Sequence, residues 1–112
     1  MNMAENLANK TCAPCDGDGP ALSAEAAKEL LAQVPGWELS DDATSISRTY
    51  KFKDFAEALA FTNNVGALVE REGHHPDIEL SWGKVVLTFF THSIGGLSEN
   101  DFIVAAKINK LN

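Results

Sequence analysis

Histidine occurs three times in this 112-residue chain, and every copy falls between Glu70 and Asp101: His74 and His75 side by side, then His92. An imidazole gains and loses a proton near neutral pH, its unperturbed pKa being about 6.5, so the stretch points to proton transfer or metal binding. Apolar periodicity precedes Gly73, which reads as the left-handed residue closing a helix, and Pro76 prevents the helix from continuing. His74 and His75 therefore sit on a short connector. Preceding a proline, His75 is pushed toward extended backbone. Neighbouring side chains diverge there, so the pair meets one ligand only if the connector turns. A zinc site built on His74, His75 and His92 with Glu70 or Asp101 is disfavoured: adjacent histidines chelate one ion poorly, and the helical His-x-x-x-His spacing is absent. No metal and no cofactor are expected.

The elements that must position these residues follow from pattern. Ser23 opens a helix whose stripe is Ala27, Leu30, Leu31 and Val34, ended by Pro35-Gly36. Trp37 to Leu39 and Ser45 to Lys53 read as two strands of a hairpin, the second alternating Ile46, Arg48, Tyr50 and Phe52 with polar residues. A longer helix runs from about Asp54 to Glu72, with Phe55, Leu59, Thr62, Val65, Leu68 and Val69 as its apolar face. Gly66 lies on or near that face and costs about 1 kcal/mol against alanine, which a close approach to another element would explain.

Beyond the connector, Ile78, Leu80 and Trp82 alternate with Glu79 and Ser81 before Gly83. Val85, Leu87, Phe89 and Thr91 then alternate with Val86, Thr88, Phe90 and His92. The first of these two sets should face the helices, which puts His92 on the opposite parity. Ser93 to Gly96 reads as a loop. Ser98-Glu99-Asn100-Asp101 has the form of a capping box opening a last helix through Phe102, Ala105, Ile108 and Leu111. The order α-β-β-α-β-β-α predicts an α+β domain, a four-stranded antiparallel sheet with three helices on one face. Val86, Thr88 and Phe90 on the other face, or an edge strand, suggest an oligomer contact.

Composition bounds the partner. Residues 21–112 form one domain, and the 45% apolar content suits a globular protein, with no run near the ~20 residues of a membrane span. A net charge of -7 argues against nucleic acid, which needs a basic stripe to displace counterions. A small-molecule partner is expected. The first ten residues lack a secretory core, making the cytoplasm the expected compartment. Residues 1–20 read as a flexible tail carrying one Cys-x-x-Cys, Cys12 and Cys15, with no second pair to complete a zinc ribbon.

Glu70, His74-His75-Pro76, Trp82, His92, Gly96-Leu97-Ser98 and Asp101 together resemble the signature of the pterin-4a-carbinolamine dehydratase family over roughly Leu22 to the C-terminus. The resemblance implies the fold already read from the element order. It also implies a lyase that removes water from 4a-hydroxytetrahydropterin to give quinonoid dihydropterin, recycling the pterin cofactor of aromatic amino-acid hydroxylases such as those of phenylalanine hydroxylation. By similarity His74 is the principal acid/base group, His75 contacts and orients the pterin, and His92 is a second acid/base group. Glu70 and Asp101, acceptors when ionised, can hold an imidazole in one tautomer and raise its basicity. Pro76 and Trp82 belong to the substrate-binding set, although a tryptophan beside a hairpin glycine also suits interface packing. Taken singly, Glu70 reads as a solvated helix charge, Asp101 as a capping residue and His92 as a structural histidine. A homodimer or homotetramer is implied. The alternative is a non-catalytic binding or assembly protein on the same fold, as family members that serve as dimerisation cofactors imply.

Overall fold

The computed structural model describes Leu7 and residues 21–111. Helix α1 spans Ala24–Leu31, its first turn held by Ser23, whose hydroxyl accepts the Ala26 N–H at 3.1 Å. Strands β1 (Glu38–Leu39) and β2 (Ile46–Lys51) form the expected hairpin, with Leu39 opposite Ile46. Helix α2 spans Phe55–Glu72. The Asp54 carboxylate accepts the Glu57 N–H at 2.9 Å at its start, and Gly73 ends it at φ 71°, where a side chain would be strained.

The buried face of α2 differs from the one periodicity suggested. Ala58, Phe61, Val65, Leu68 and Val69 are buried, whereas Phe55 and Leu59 are 43% and 39% exposed. The ring of Phe61 decides this, since it docks on Tyr50 and Phe52 with centroids 4.5 and 5.3 Å away. At 3.6 residues per turn, Leu59 then points about 120° away from Val65. Gly66 is also explained differently. A Cβ there would meet nothing within 4 Å among the described residues, so no close approach among them requires the glycine.

Strands β3 (Asp77–Ser81) and β4 (Lys84–Phe89) form the second hairpin, and helix α3 spans Glu99–Asn109. Among the described residues the sheet is antiparallel in the order β1-β2-β4-β3, with Ile46 opposite Phe89 and Ile78 opposite Leu87. This is the α+β architecture with the element order expected from sequence. Val85, Leu87 and Phe89 of β4 are buried with Ile46 and Tyr50 against the helices. Most of α3 is buried with them, from Asn100 through Ala106 and again at Ile108, so its first turn is embedded in the domain.

The opposite face is more polar than Val86, Thr88 and Phe90 alone suggested. Register sets Val86 between Thr49 and Glu79, and all three of Val86, Thr88 and Phe90 are half-buried. Leu7 is 1% exposed and belongs to the core. The expectation of a flexible tail, and with it Cys12 and Cys15, otherwise lies outside the described residues. Among the described residues no helix is long and apolar enough to cross a membrane.

Candidate active site

The end of α2, the end of β4 and the first turn of α3 meet at His74. Because Gly73 is left-handed, the chain reverses there, and both Gly73 and His74 donate their N–H groups to the Val69 carbonyl, at 2.8 and 3.3 Å. The His74 ring is turned inward. It is 8% exposed and lies parallel to the Phe89 ring, centroids 5.8 Å apart. Its Nε2 is 2.6 Å from Oδ1 of Asp101, a carboxylate with no exposure at all.

A buried carboxylate is costly unless its acceptor sites are filled. Here they are. While Oδ1 faces His74, Oδ2 accepts the Thr91 hydroxyl at 2.8 Å and the Ser98 backbone N–H at 2.9 Å. The second bond is the capping box anticipated from sequence, so one carboxylate both starts α3 and holds an imidazole. An imidazole with a carboxylate at Nε2 keeps its neutral-form proton on that nitrogen, which directs basicity to Nδ1.

His75 points the other way. Its Nε2 is bonded to Glu70 across the last turn of α2, both side chains largely in solvent, so the connector separates the two imidazoles rather than converging them. In water such a pair contributes at most about 1 kcal/mol and orients a ring more than it stabilises the fold. Pro76, half-buried, carries the chain from this pair into β3.

His92 begins a 3-10 turn, His92–Ile94, just past β4. It is exposed and rests edge-on against Phe90, centroids 4.6 Å apart. The residue before it, Thr91, is pinned by reciprocal backbone bonds with Gly96, 2.8 Å for its own N–H and 3.3 Å for that of Gly96. The link from His92 to His74 is therefore short in covalent and hydrogen-bonded steps: Thr91, Asp101, His74.

Trp82 stands apart from this cluster. It occupies the β3–β4 turn, 69% exposed, at the opposite end of β3 from His75, about 16 Å of extended strand away. Within one chain it is no wall of the histidine site. Thr91, which sequence reading placed on the helix-facing side of β4 without a role, proves to be a direct partner of Asp101. The available signal was a hydroxyl in register with the buried Val85, Leu87 and Phe89. Among the described residues no three His, Cys, Asp or Glu side chains converge as metal ligands. The cluster thus offers a buried, carboxylate-held imidazole and two exposed ones, a set suited to moving protons.

A family model described as pterin 4 alpha carbinolamine dehydratase matches residues 20–111. A relative from Methylococcus capsulatus, provisionally named a pterin-4-alpha-carbinolamine dehydratase, is 54% identical over 95% of this chain and 93% of its own. A relative of the same provisional name from Alkaliphilus metalliredigens is 51% identical over 94% and 95%. These matches extend into the first twenty residues. Among solved structures, a transcriptional coactivator/pterin dehydratase from Brucella melitensis superposes with a TM-score of 0.75 at 33% identity, covering 81% of this chain and 97% of that one. A pterin dehydratase-like protein described as a RuBisCO assembly factor in the alpha-carboxysome superposes at 0.57 with 25% identity, covering 68% and 88%.

Proposed function

Because this chain belongs to the pterin 4 alpha carbinolamine dehydratase family, we propose that it converts 4a-hydroxytetrahydropterin to quinonoid dihydropterin and water by histidine acid/base catalysis. An acid protonates the departing hydroxyl as the C4a–O bond breaks. A base takes the proton of the adjacent ring nitrogen, whose electron pair forms the new double bond to C4a. One proton is given and one taken, so the reaction needs no oxidant, and imidazole is matched to both transfers near pH 7. His74 is the principal acid/base group, His92 the second, and His75, held by Glu70, orients the pterin with Pro76 beside it.

The observation that supports this reading is the His74–Asp101 pair, because an imidazole turned inward onto a buried carboxylate that is itself fixed by Thr91 and Ser98 fits proton transfer better than surface binding. In the cell the reaction would take place in the cytoplasm and return the cofactor used in phenylalanine hydroxylation. A second reading, a non-catalytic assembly protein on the same fold, is favoured by the description of the alpha-carboxysome neighbour. The discriminating experiment is ultraviolet monitoring of enzymatically generated 4a-hydroxytetrahydropterin with and without this protein. Faster appearance of the quinonoid product supports catalysis; an unchanged rate leaves the assembly reading.

Self-association to a homodimer or homotetramer is part of the proposal. Strand β3 ends the described sheet on one side with Ile78 37% exposed, a strand edge open to pairing. Antiparallel pairing of two β3 edges would carry Trp82 of one copy toward the His75 end of the other, giving that residue a place near a site. Sedimentation of the parent and of Ile78→Lys tests this. The parent should run as a multimer and the variant should dissociate; a monomeric parent would refute it.

A further inference from the structure

The acid/base assignment leaves open what holds His74 and His92 at a fixed separation, given that they arrive from different elements. We propose that Thr91 is a positioning residue that locks the two imidazoles relative to one another through Asp101. This deepens the dehydratase reading and, for its kinetic part, rests on it.

Thr91 sits where three constraints cross. Its backbone is clamped to Gly96 in both directions, which fixes the base of the turn that begins with His92. Its hydroxyl donates to Oδ2 of Asp101 at 2.8 Å, inside the domain, where Thr91 itself is 7% exposed. The other oxygen of the same carboxylate faces His74 Nε2 at 2.6 Å. A carboxylate held at only one edge can swing about its χ2 torsion, which is broad for aspartate. The Ser98 N–H binds Oδ2 from the helix side and Thr91 binds it from the strand side. Together they leave one torsional setting, the one that presents Oδ1 to the ring. The Ser98 hydroxyl, 3.2 Å from the Thr91 hydroxyl and 3.5 Å from Oδ2, is placed to receive or share that hydrogen and completes the lock.

The hydroxyl rather than the bulk of Thr91 is the functional part. A valine has the same shape and keeps both backbone bonds to Gly96, but removes the donor to a charged acceptor that no water can replace in a buried place. Asp101 then loses its strand-side anchor, while its helix-side bond to Ser98 remains. Serine restores the donor without the methyl group.

The experiment uses the full chain with histidine labelled with nitrogen-15, in parent, Thr91→Val and Thr91→Ser forms. Without any pterin present, the proton on His74 Nε2 should give a resolved, slowly exchanging resonance in the parent. In Thr91→Val it should exchange with water about tenfold faster or more, and Thr91→Ser should return it toward the parent rate. In the dehydration assay Thr91→Val should lose about tenfold or more in kcat with KM within about twofold, and serine should recover most of it. An unchanged resonance and kcat in Thr91→Val, or a serine variant no better than valine, overturns the proposal. Should valine prevent folding, Thr91→Ala against Thr91→Ser carries the same comparison of donor absent with donor present. A parent that folds and shows the resonance but turns over no pterin would fail the dehydratase reading while the resonance still decides whether Thr91 holds the pair.

Discussion

His74 and Asp101 stand 27 positions apart in the chain and 2.6 Å apart in the fold, one just past the end of α2 and the other in the first turn of α3. Two helix termini thus share a single buried contact, and the residue that caps α3 is the residue that holds the imidazole. Asp101→Asn tests what the charge contributes, since it keeps the shape and the hydrogen-bonding reach. Turnover should fall about 10- to 100-fold. Because an amide also leaves part of the buried network unmatched, the fold should lose about 1–3 kcal/mol. Denaturant melts and kcat measured on the same preparation check both, and activity within twofold of the parent would contradict the positioning role.

His75 and Glu70 should behave differently, being exposed and concerned with binding. His75→Ala is expected to raise KM more than it lowers kcat, the pattern of lost ground-state binding. Glu70→Gln should do the same more weakly and change stability by less than about 1 kcal/mol. Steady-state kinetics separate the two patterns, and a loss confined to kcat would move His75 into the chemistry itself.

The stop at Gly73, the capping box at Ser98 and the parity of β4 were legible in sequence because each depends on local backbone chemistry. Glu70, His74, His75, His92 and Asp101 could be named from sequence, but not how they pair. Which imidazole turns inward is decided by the left-handed Gly73 and by the space beside Phe89, neither of which periodicity reports. The face of α2 was misplaced for a similar reason. Leu59 and Phe55 are as apolar as Phe61, and only the docking of Phe61 on two rings of the sheet selects the rotation. Trp82 matched a signature position, yet a two-residue turn put it at the far end of a strand from the histidines.

Tyr50 gives a pH-dependent prediction remote from the site. Its hydroxyl is buried without a hydrogen-bond partner among the described residues, and burial pushes its pKa above the ordinary 10.0 against the smaller opposing pull of the Arg48 guanidinium. Above pH 10 the unfolded chain therefore releases a proton that the folded chain retains, so stability falls as pH rises past about 10. Tyr50→Phe should remove that part of the alkaline loss. At neutral pH it should change stability by no more than about 1 kcal/mol, because the buried hydroxyl has no hydrogen-bond partner of good geometry and only a weak interaction with the Arg48 guanidinium is lost. Thermal melts of both forms at pH 7 and above pH 10 are the check; equal alkaline sensitivity would place its origin elsewhere.

Leu7 supplies a test of how far the folded unit extends. It is fully buried with residues of the main core, so Leu7→Ala should cost about 2–5 kcal/mol, the usual range for emptying such a position. A melt within about 0.5 kcal/mol of the parent would show that the Leu7 side chain contributes nothing to the core.

In the proposed reaction two imidazoles serve one flat ring from different elements, and the most direct measurement is the dehydration rate of each 4a-hydroxy stereoisomer with His74→Ala, His92→Ala and the double variant. A positioned acid/base group contributes about 10² to 10⁴ in rate. Each single variant should lower turnover, with unequal losses for the two stereoisomers, because the hydroxyl can lie on either side of the ring. The double variant should fall well below both. Equal losses for both stereoisomers in the two single variants, with no further loss in the double, would contradict the two-imidazole account and leave one histidine in charge.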